Sequence, residues 1–476
     1  MRNRRNRSVI NSNTRKGILK GVSFFITLAF TKHFIMKTNR LPSLLFFCIS
    51  LFYLSNTNAQ KSNYSALIST AADKIESKVI AWRHDIHEHP ELGNHEVRTA
   101  ALIAKHLQSL GIEVKTGVGI TGVVGILKGD KPGPVVALRA DMDALPVEEK
   151  NNLPYCSKVK TMYNGKETSV MHACGHDAHV AILMGVAEIL SGMKKELKGT
   201  VKFIFQPAEE GVPAGEEGGA ALMIKEGVLE NPKVDVIFGL HMAAQTEVGK
   251  INYRPGGFMA AVGTVKITVN GKPSHGAQPW LAVDPIVVAA QIINSLQTVV
   301  SRNVNITENA AVVTIASIHG GNRDNIIPEK VEMLGTVRTF TDDDEKLIYA
   351  RIRQIAEKTA EAAGATADVI LPYEHYYPVT FNNEKLTAEM LPTLQKSVGK
   401  ENVLLVPAIT GAEDFSFFQQ KVPGIYFFIG GLPKGANKKT SGPHHTPTFL
   451  IDDSAFKTGL NTLCNLVFDY MQIHKK

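Results

Sequence analysis

Four short apolar runs, at residues 135–138, 201–205, 234–240 and 425–429, are each followed by a polar or glycine-rich stretch and then by helical spacing. Continuous apolar runs of this length are what strands buried on both faces produce, so the alternation predicts an α/β sheet with helices on both faces. Helical periodicity is clearest at 99–110, closed by Gly111, and at 179–190, closed by Gly192. Between 258 and 375 the rhythm changes. A strand at 264–269, a helix at 284–300, strands at 311–318 and 330–338, a helix at 342–363 and a strand at 367–371 follow one another. The second helix is marked by Thr341 as N-cap, Asp342, Asp343 and Asp344 in its first turn, and Gly364 at its end. A β-α-β-β-α-β order is ferredoxin-like. The pattern therefore predicts a two-domain α/β protein. Its catalytic sheet domain occupies 60–257 and 376–476 and is interrupted by an inserted ferredoxin-like α+β domain at 258–375.

At 476 residues the chain exceeds the roughly 250–300 residues at which one hydrophobic core stops growing, which agrees with two domains. A content of 44% apolar and 20% charged residues excludes a fibrous or disordered chain. The net charge of +7 suggests a nucleic-acid partner until its location is considered. Ten Lys or Arg and no Asp or Glu lie in residues 1–59, so 42 of the 52 basic residues face 45 acidic ones in the remainder. That near-neutral body gives phosphate backbones nothing to bind, and no nucleic acid is expected.

The basic stretch reads as a targeting segment at 1–59. From Met36 a short basic region (Lys37, Arg40) precedes an apolar run at 41–54 and then Thr57-Asn58-Ala59, the small-residue pattern of signal-peptide cleavage. The run is shorter than the roughly 20 residues a bilayer span needs. A signal peptide at 36–59, export to the periplasm or exterior, and no stable membrane span after cleavage are the expectations. Residues 1–35 repeat the charged-then-apolar pattern without a cleavage site, which leaves Met1 and Met36 both open as the start. Beyond residue 59, Cys156, Cys174 and Cys464 form no disulfide framework, and at least one thiol must be free or bound to metal.

The densest chemistry lies at Met171-His172-Ala173-Cys174-Gly175-His176-Asp177-Ala178-His179. Cys and His suit zinc-class ions, and the intervening glycine lets the backbone turn both towards one ion. The run at 201–205 leads into Gln206-Pro207-Ala208-Glu209-Glu210-Gly211, and the run at 234–240 leads into His241. Sites in open α/β sheets assemble beyond the C-terminal strand ends, so both runs deliver to one rim. Adjacent carboxylates repel unless a cation or proton separates them; a metal on one leaves the other to act as a base. Thr410-Gly411-Ala412-Glu413-Asp414-Phe415 adds an acidic pair and Pro443-His444-His445-Thr446-Pro447 a histidine pair, neither decisive alone. Asp141 and Asp143 follow the first run and are placed to orient metal-bound histidines from behind. His84 and His87, three apart with no carboxylate in register, read as structural.

In order, His172-Ala173-Cys174-Gly175-His176-Asp177, the segment at 206–211, Gly239-Leu240-His241-Met242, Gly411-Ala412-Glu413-Asp414-Phe415 and His445-Thr446-Pro447 resemble one family. It is the metallo-amidohydrolase/aminoacylase family that contains hippurate hydrolase, N-acyl-L-amino acid amidohydrolases and auxin-conjugate (IAA-amino acid) hydrolases. Trp82-Arg83-His84 and His89-Pro90-Glu91-Leu92 open the likeness, which covers about residues 75–470. The resemblance implies that Cys174, His176, Glu210, His241 and His445 bind two divalent metal ions, with Cys174 bridging and Glu209 as general base. Zinc or manganese fits best, and cobalt or nickel is also accommodated. His445 is preferred because it directly precedes a small residue and Pro; His444 stays as the alternative. The inserted domain resembles the family's lid and dimerisation domain, which implies a homodimer or higher homo-oligomer. By the same likeness His275, in Gly271-Lys272-Pro273-Ser274-His275-Gly276-Ala277, would donate to the developing oxyanion from a partner subunit. Asn325 and Arg338 would hold the substrate carboxylate. The family more often has Gly or His where Ser274 and Gly276 stand.

The activity so implied is hydrolysis of an N-acyl amino acid by metal-activated water, with a dipeptidase or carboxypeptidase of the same family as the alternative. Two rivals come from other classes. A cysteine hydrolase would use Cys174 with His176 or His179 as its base, leaving the glutamate pair without a role. An exported, non-catalytic metal- or peptide-binding protein would not need the spare carboxylate of Glu209.

Overall fold

The computed structural model describes residues 64–213 and 215–475, so the targeting segment at 1–59 lies outside the described residues. After helices α1 (Tyr64–Glu88) and α2 (Val97–Ser109), the chain enters strands β1 (Glu113–Val118), β2 (Gly122–Lys128) and β3 (Lys131–Asp141). Helix α3 (His176–Gly192) leads to β4 (Lys198–Gln206), and helix α4 (Gly219–Lys225) to β5 (Val236–Glu247) and β6 (Ile251–Tyr253). A second sheet follows, with β7 (Ala261–Asn270), α5 (Pro285–Asn303), β8 (Val312–Gly320), β9 (Lys330–Thr339), α6 (Asp342–Ala362), β10 (Thr366–Ile370) and β11 (Tyr376–Tyr377). The chain then returns through α7 (Glu384–Val398), β12 (Val403–Leu405), α8 (Phe415–Gln419), β13 (Gly424–Leu432) and α9 (Phe456–Ile473).

The first sheet is mixed, in the order β1-β2-β4-β3-β5-β13-β6-β12. Its centre is parallel, β3 pairing β4 and β5, and β13 pairing β5. The apolar runs are continuous because alternate side chains serve two cores. On β3, Val136, Leu138 and Ala140 pack with α1, α2, α3 and α9, while Val135 and Ala137 face α4 and α8. On β13, Ile425, Phe427 and Ile429 take the first face, Tyr426 and Phe428 the second. The sequence places β5 at 234–240, whereas the strand runs on to Glu247 through His241, because parallel pairing with β13 continues past the apolar residues.

The second sheet has the order β8-β9-β7-β10, with β11 also against β7, all antiparallel. Val265, Ile267 and Val269 point to one face, where α5 and α6 close a separate core with Ile292, Leu296, Ile348 and Ile352. The Thr341 hydroxyl accepts from the Asp344 N–H at 3.1 Å, the expected cap of α6. Gly256–Met259 and Thr380–Asn382, the two passages between the sheets, pair with each other. No helix among the described residues is long and apolar enough to cross a membrane.

Candidate metal centre

The C-terminal ends of the parallel strands converge on one cluster. Gly175 caps α3 with φ 98°, in the left-handed region that glycine enters without strain, and turns Cys174 and His176 inward on either side of it. His241, on the α4 and α8 face of β5, brings Nε2 to 3.4 Å from Cys174 Sγ. His445 comes from the loop after β13, its N–H donating to the Ala173 carbonyl at 2.8 Å, and its Nε2 stands 3.3 Å from the same sulfur and 3.0 Å from Glu210. Ligand atoms of Cys174, His176 and His241 lie within 4.8 Å of one another, and so do those of Cys174, Glu210 and His445. His176 Nε2 lies 3.9 Å from both Glu209 and Glu210. The five residues named from the sequence as metal ligands, and Glu209, are thus brought together around Cys174.

The hydrogen bonds decide which nitrogens face the cluster. His176 Nδ1 donates to the Asp143 carbonyl at 2.9 Å and His241 Nδ1 to the Met242 carbonyl at 2.6 Å, leaving each Nε2 with its lone pair turned inward. His444 Nε2 donates to the same Met242 carbonyl at 2.8 Å, so of the adjacent pair it is His445 that presents Nε2 to the cluster. His179 bonds Asp141 through Nδ1 and accepts the Met242 N–H at 2.8 Å through Nε2, which leaves it no free nitrogen.

Buried charge surrounds the site. Arg139, fully buried on β3, bonds Asp141 and reaches Glu413 and Asp414 at 2.9 Å each. Glu413 also accepts from the Tyr426 hydroxyl at 2.6 Å. The loop at Glu209 is held by Glu96, which accepts the Ala208 N–H, and by Asp143, which accepts the Glu210 N–H, both at 2.9 Å. Burial, and behind it the charges of Glu413, Glu210, Asp414 and Asp141, hold Glu209 well above the usual carboxylate range. Burial and the charges of Glu210 and Glu209 push the Cys174 thiol well above its ordinary value. A reactive thiol needs the reverse, cationic surroundings, so the geometry disfavours Cys174 as a nucleophile.

The donor set fits divalent metal. His176 Nε2 is buried with no hydrogen-bond partner among the described residues, an expensive state unless the lone pair meets a cation. Cations there would also offset the repulsion among Glu209, Glu210 and the Cys174 sulfur and deprotonate a bound thiol. A pocket of about 390 Å³ opens onto the cluster, lined by Cys174, Glu209, Glu210, His241, His444 and His445 and walled on its apolar side by Met259, Ile409 and Phe428.

Three residues named from the sequence lie outside that pocket. His275 is exposed on the second sheet's side, accepting the Ala277 N–H at 3.0 Å. Asn325 is exposed beside it, its carbonyl accepting from Gly276 at 2.8 Å. Arg338 lies half-buried on β9, bonded to Thr336 and, at 3.1 Å, to the Val337 carbonyl. Within one chain the structure does not bring them to the cluster.

His84 and His87 do have carboxylate partners, supplied from distant segments and not from their own helix. His84 meets Asp453 at 2.7 Å, a partly exposed pair, and His87 meets Asp177 at 2.8 Å and Glu149 at 3.2 Å, which makes His87 part of a buried scaffold with Arg83. Sequence reasoning missed Glu96, Arg139, Tyr377 and Tyr426. A buried arginine inside an otherwise apolar strand was the one available signal.

Residues 137–469 match the model of a peptidase family described as M20/M25/M40. Among curated relatives, the chain is similar to thermostable carboxypeptidase 2 of Saccharolobus solfataricus, 41% identical over 81% of this chain and 93% of that one. It is also similar to N-acetylcysteine deacetylase of Bacillus subtilis, 39% identical over 81% of this chain and 94% of that one. Among solved structures it is similar to Bacillus subtilis YXEP protein, a dinuclear metal binding peptidase from M20 family. That match has a TM-score of 0.70 and 34% identity over 84% of this chain and 99% of that one.

Proposed function

Because the chain belongs to peptidase family M20/M25/M40 and is a metal-dependent hydrolase, we propose that it cleaves the amide bond of N-acylated amino acids with Glu209 as general base. The observation that carries this reading is a buried carboxylate, Glu209, standing beside two sets of Cys, His and Glu ligand atoms that share Cys174. Cys174, His176, Glu210, His241 and His445 would hold two divalent ions, zinc or manganese fitting best, which supply Lewis acidity and lower the pKa of a bound water. Glu209 takes a proton from the attacking water and returns it to the leaving nitrogen. Asp143, the Met242 carbonyl and Asp141 fix the rings of His176, His241 and His179. Met259, Ile409 and Phe428 offer the acyl group an apolar wall.

The relative named N-acetylcysteine deacetylase supports an N-acyl amino acid substrate, and the relative named carboxypeptidase supports a dipeptide or peptide as the second reading. We further propose that the protein is exported through residues 36–59 and forms a homodimer through the second sheet, with the partner supplying the His275 imidazole to the oxyanion, and that Asn325 and Arg338 hold the substrate carboxylate. The exposed Trp280 and Leu281, close in sequence to His275, support a covered surface there.

The test is hydrolysis of a panel of N-acyl amino acids and dipeptides, with metal content measured on wild type and Glu209→Gln. The variant is expected to keep its metal and lose about 100-fold or more in kcat. Loss of metal to the same degree would remove the base assignment, and activity that survives chelation but dies on thiol alkylation would replace the whole reading with cysteine catalysis.

A further inference from the structure

The base sits on a loop pinned at three consecutive residues. The N–H of Ala208, which itself has φ 52°, is held by Glu96 and the N–H of Glu210 by Asp143; both anchors belong to the first sheet's body. The third anchor does not. The Tyr377 hydroxyl donates to the backbone carbonyl of Glu209 at 2.8 Å, and Tyr377 lies on β11, which pairs with β7 of the second sheet at Val262. The segment leading into β11 is laced to the same strand, Tyr373 donating to the Thr264 carbonyl at 2.8 Å and Thr264 to the His375 carbonyl at 3.1 Å. The Tyr377 ring is steadied edge-on against Phe417 at 6.0 Å. Burial, then the charges of Asp414 and Glu209, hold the phenol well above its ordinary range, so it remains an O–H donor at neutral pH.

We propose that Tyr377 is a positioning residue for hydrolysis, a strut from the second sheet that sets the Glu209 peptide and with it the direction of the Glu209 carboxylate. This rests on Glu209 being the base. A left-handed, non-glycine residue directly before Glu209 makes the loop a strained one that its partners must over-determine. Removing one of three anchors lets the following peptide rotate, and a carboxylate displaced by about 1 Å from a transferring proton loses rate without losing substrate affinity. Because β11 pairs with β7, the strut also ties the base to the seating of the second sheet.

The experiment is a double-mutant cycle with Tyr377→Phe, which keeps the ring on Phe417 and removes only the donor, in the wild-type and Glu209→Asp backgrounds. Tyr377→Phe is expected to lower kcat about tenfold with KM within about twofold and metal content unchanged, while the Glu209 carbonyl left without its donor lowers the thermal midpoint by a few degrees at most. In the Glu209→Asp background, where the carboxylate is already withdrawn, the same change is expected to cost less than about twofold. An unchanged kcat, an equal loss in both backgrounds, a loss confined to KM, or a loss accompanied by release of metal or by unfolding at the assay temperature would each overturn the proposal. A wild-type protein inert towards the amide panel, or a fully active Glu209→Gln variant, would instead strike the functional reading beneath it.

Discussion

His444 commits its Nε2 to the Met242 carbonyl, whereas His445 directs Nε2 to Cys174 and Glu210. His445→Ala is therefore expected to weaken metal retention by about 100-fold or more, while His444→Ala, which removes a supporting contact, falls within the roughly 10–100-fold typical of outer partners. Competition against a chelator of known affinity reads both, and equal losses would mean that the two rings exchange roles. Asp177 belongs to the scaffold one layer below. It is fully buried against Arg83 at 2.7 Å and His87 at 2.8 Å. Asp177→Asn leaves Arg83 only the more distant Asp453 carboxylate at 3.4 Å and should cost about 3–5 kcal/mol in denaturant unfolding at pH 7. Burial raises the carboxyl's proton affinity, but Arg83 and His87 outweigh it and hold the group well below the usual range. Its folded-state value being depressed, the stabilisation is full above the unfolded value of about 3.9 and is lost as pH falls below it. The gap between wild type and variant should therefore narrow below about pH 4; a gap independent of pH would assign the cost to packing.

At the scale of elements, the turn between Cys174 and α3 carries the largest consequence per residue. A Cβ on Gly175 would stand 3.1 Å from the Met242 Cβ, on a backbone at φ 98°. Gly175→Ala should cost about 1–3 kcal/mol and weaken metal retention, because the residues on both sides are cluster members. Thermal unfolding without metal separates the backbone cost from the ligand cost, and a variant as stable as wild type would show that the turn adapts. This turn, the strand ends at Glu209 and His241, and the β-α-β-β-α-β order were legible because each is local: a Gly between Cys174 and His176, an apolar run ending in a polar residue, a change of period. The networks behind them were not. Arg139 meets Glu413 and Asp414, and Arg83 meets Asp177, across long stretches of chain that only the folded sheet brings together. The extension of β5 beyond its apolar residues was hidden for the same reason, since its cause is the partner strand.

For the molecule as a whole, the cluster draws on four separated stretches: the turn before α3, the loop after β4, strand β5 and the loop after β13. A ligand that joins such segments exists only in the folded state, so metal bound at 100 times its dissociation constant adds about 2.7 kcal/mol. Without it, Glu209, Glu210, Asp141, Glu413 and Asp414 crowd one region, with Arg139 a buried counter-charge reaching Asp141, Glu413 and Asp414 and the His176 imidazole drawn up by Asp141, Asp143 and Glu210. Chelation is therefore expected to abolish turnover and lower the thermal midpoint by several degrees, at about 2–4 °C per kcal/mol, with both restored by zinc or manganese. The loss should not be uniform. The second sheet has its own core between β7, α5 and α6, and none of the cluster ligands, so residues 261–370 should keep their hydrogen-exchange protection while α3, β5 and the loops at Glu210 and His445 lose theirs. Equal loss across both sheets would show that they unfold as one cooperative unit, in which case the seating of the second sheet reaches the metal residues through the core and not through the Tyr377 strut alone.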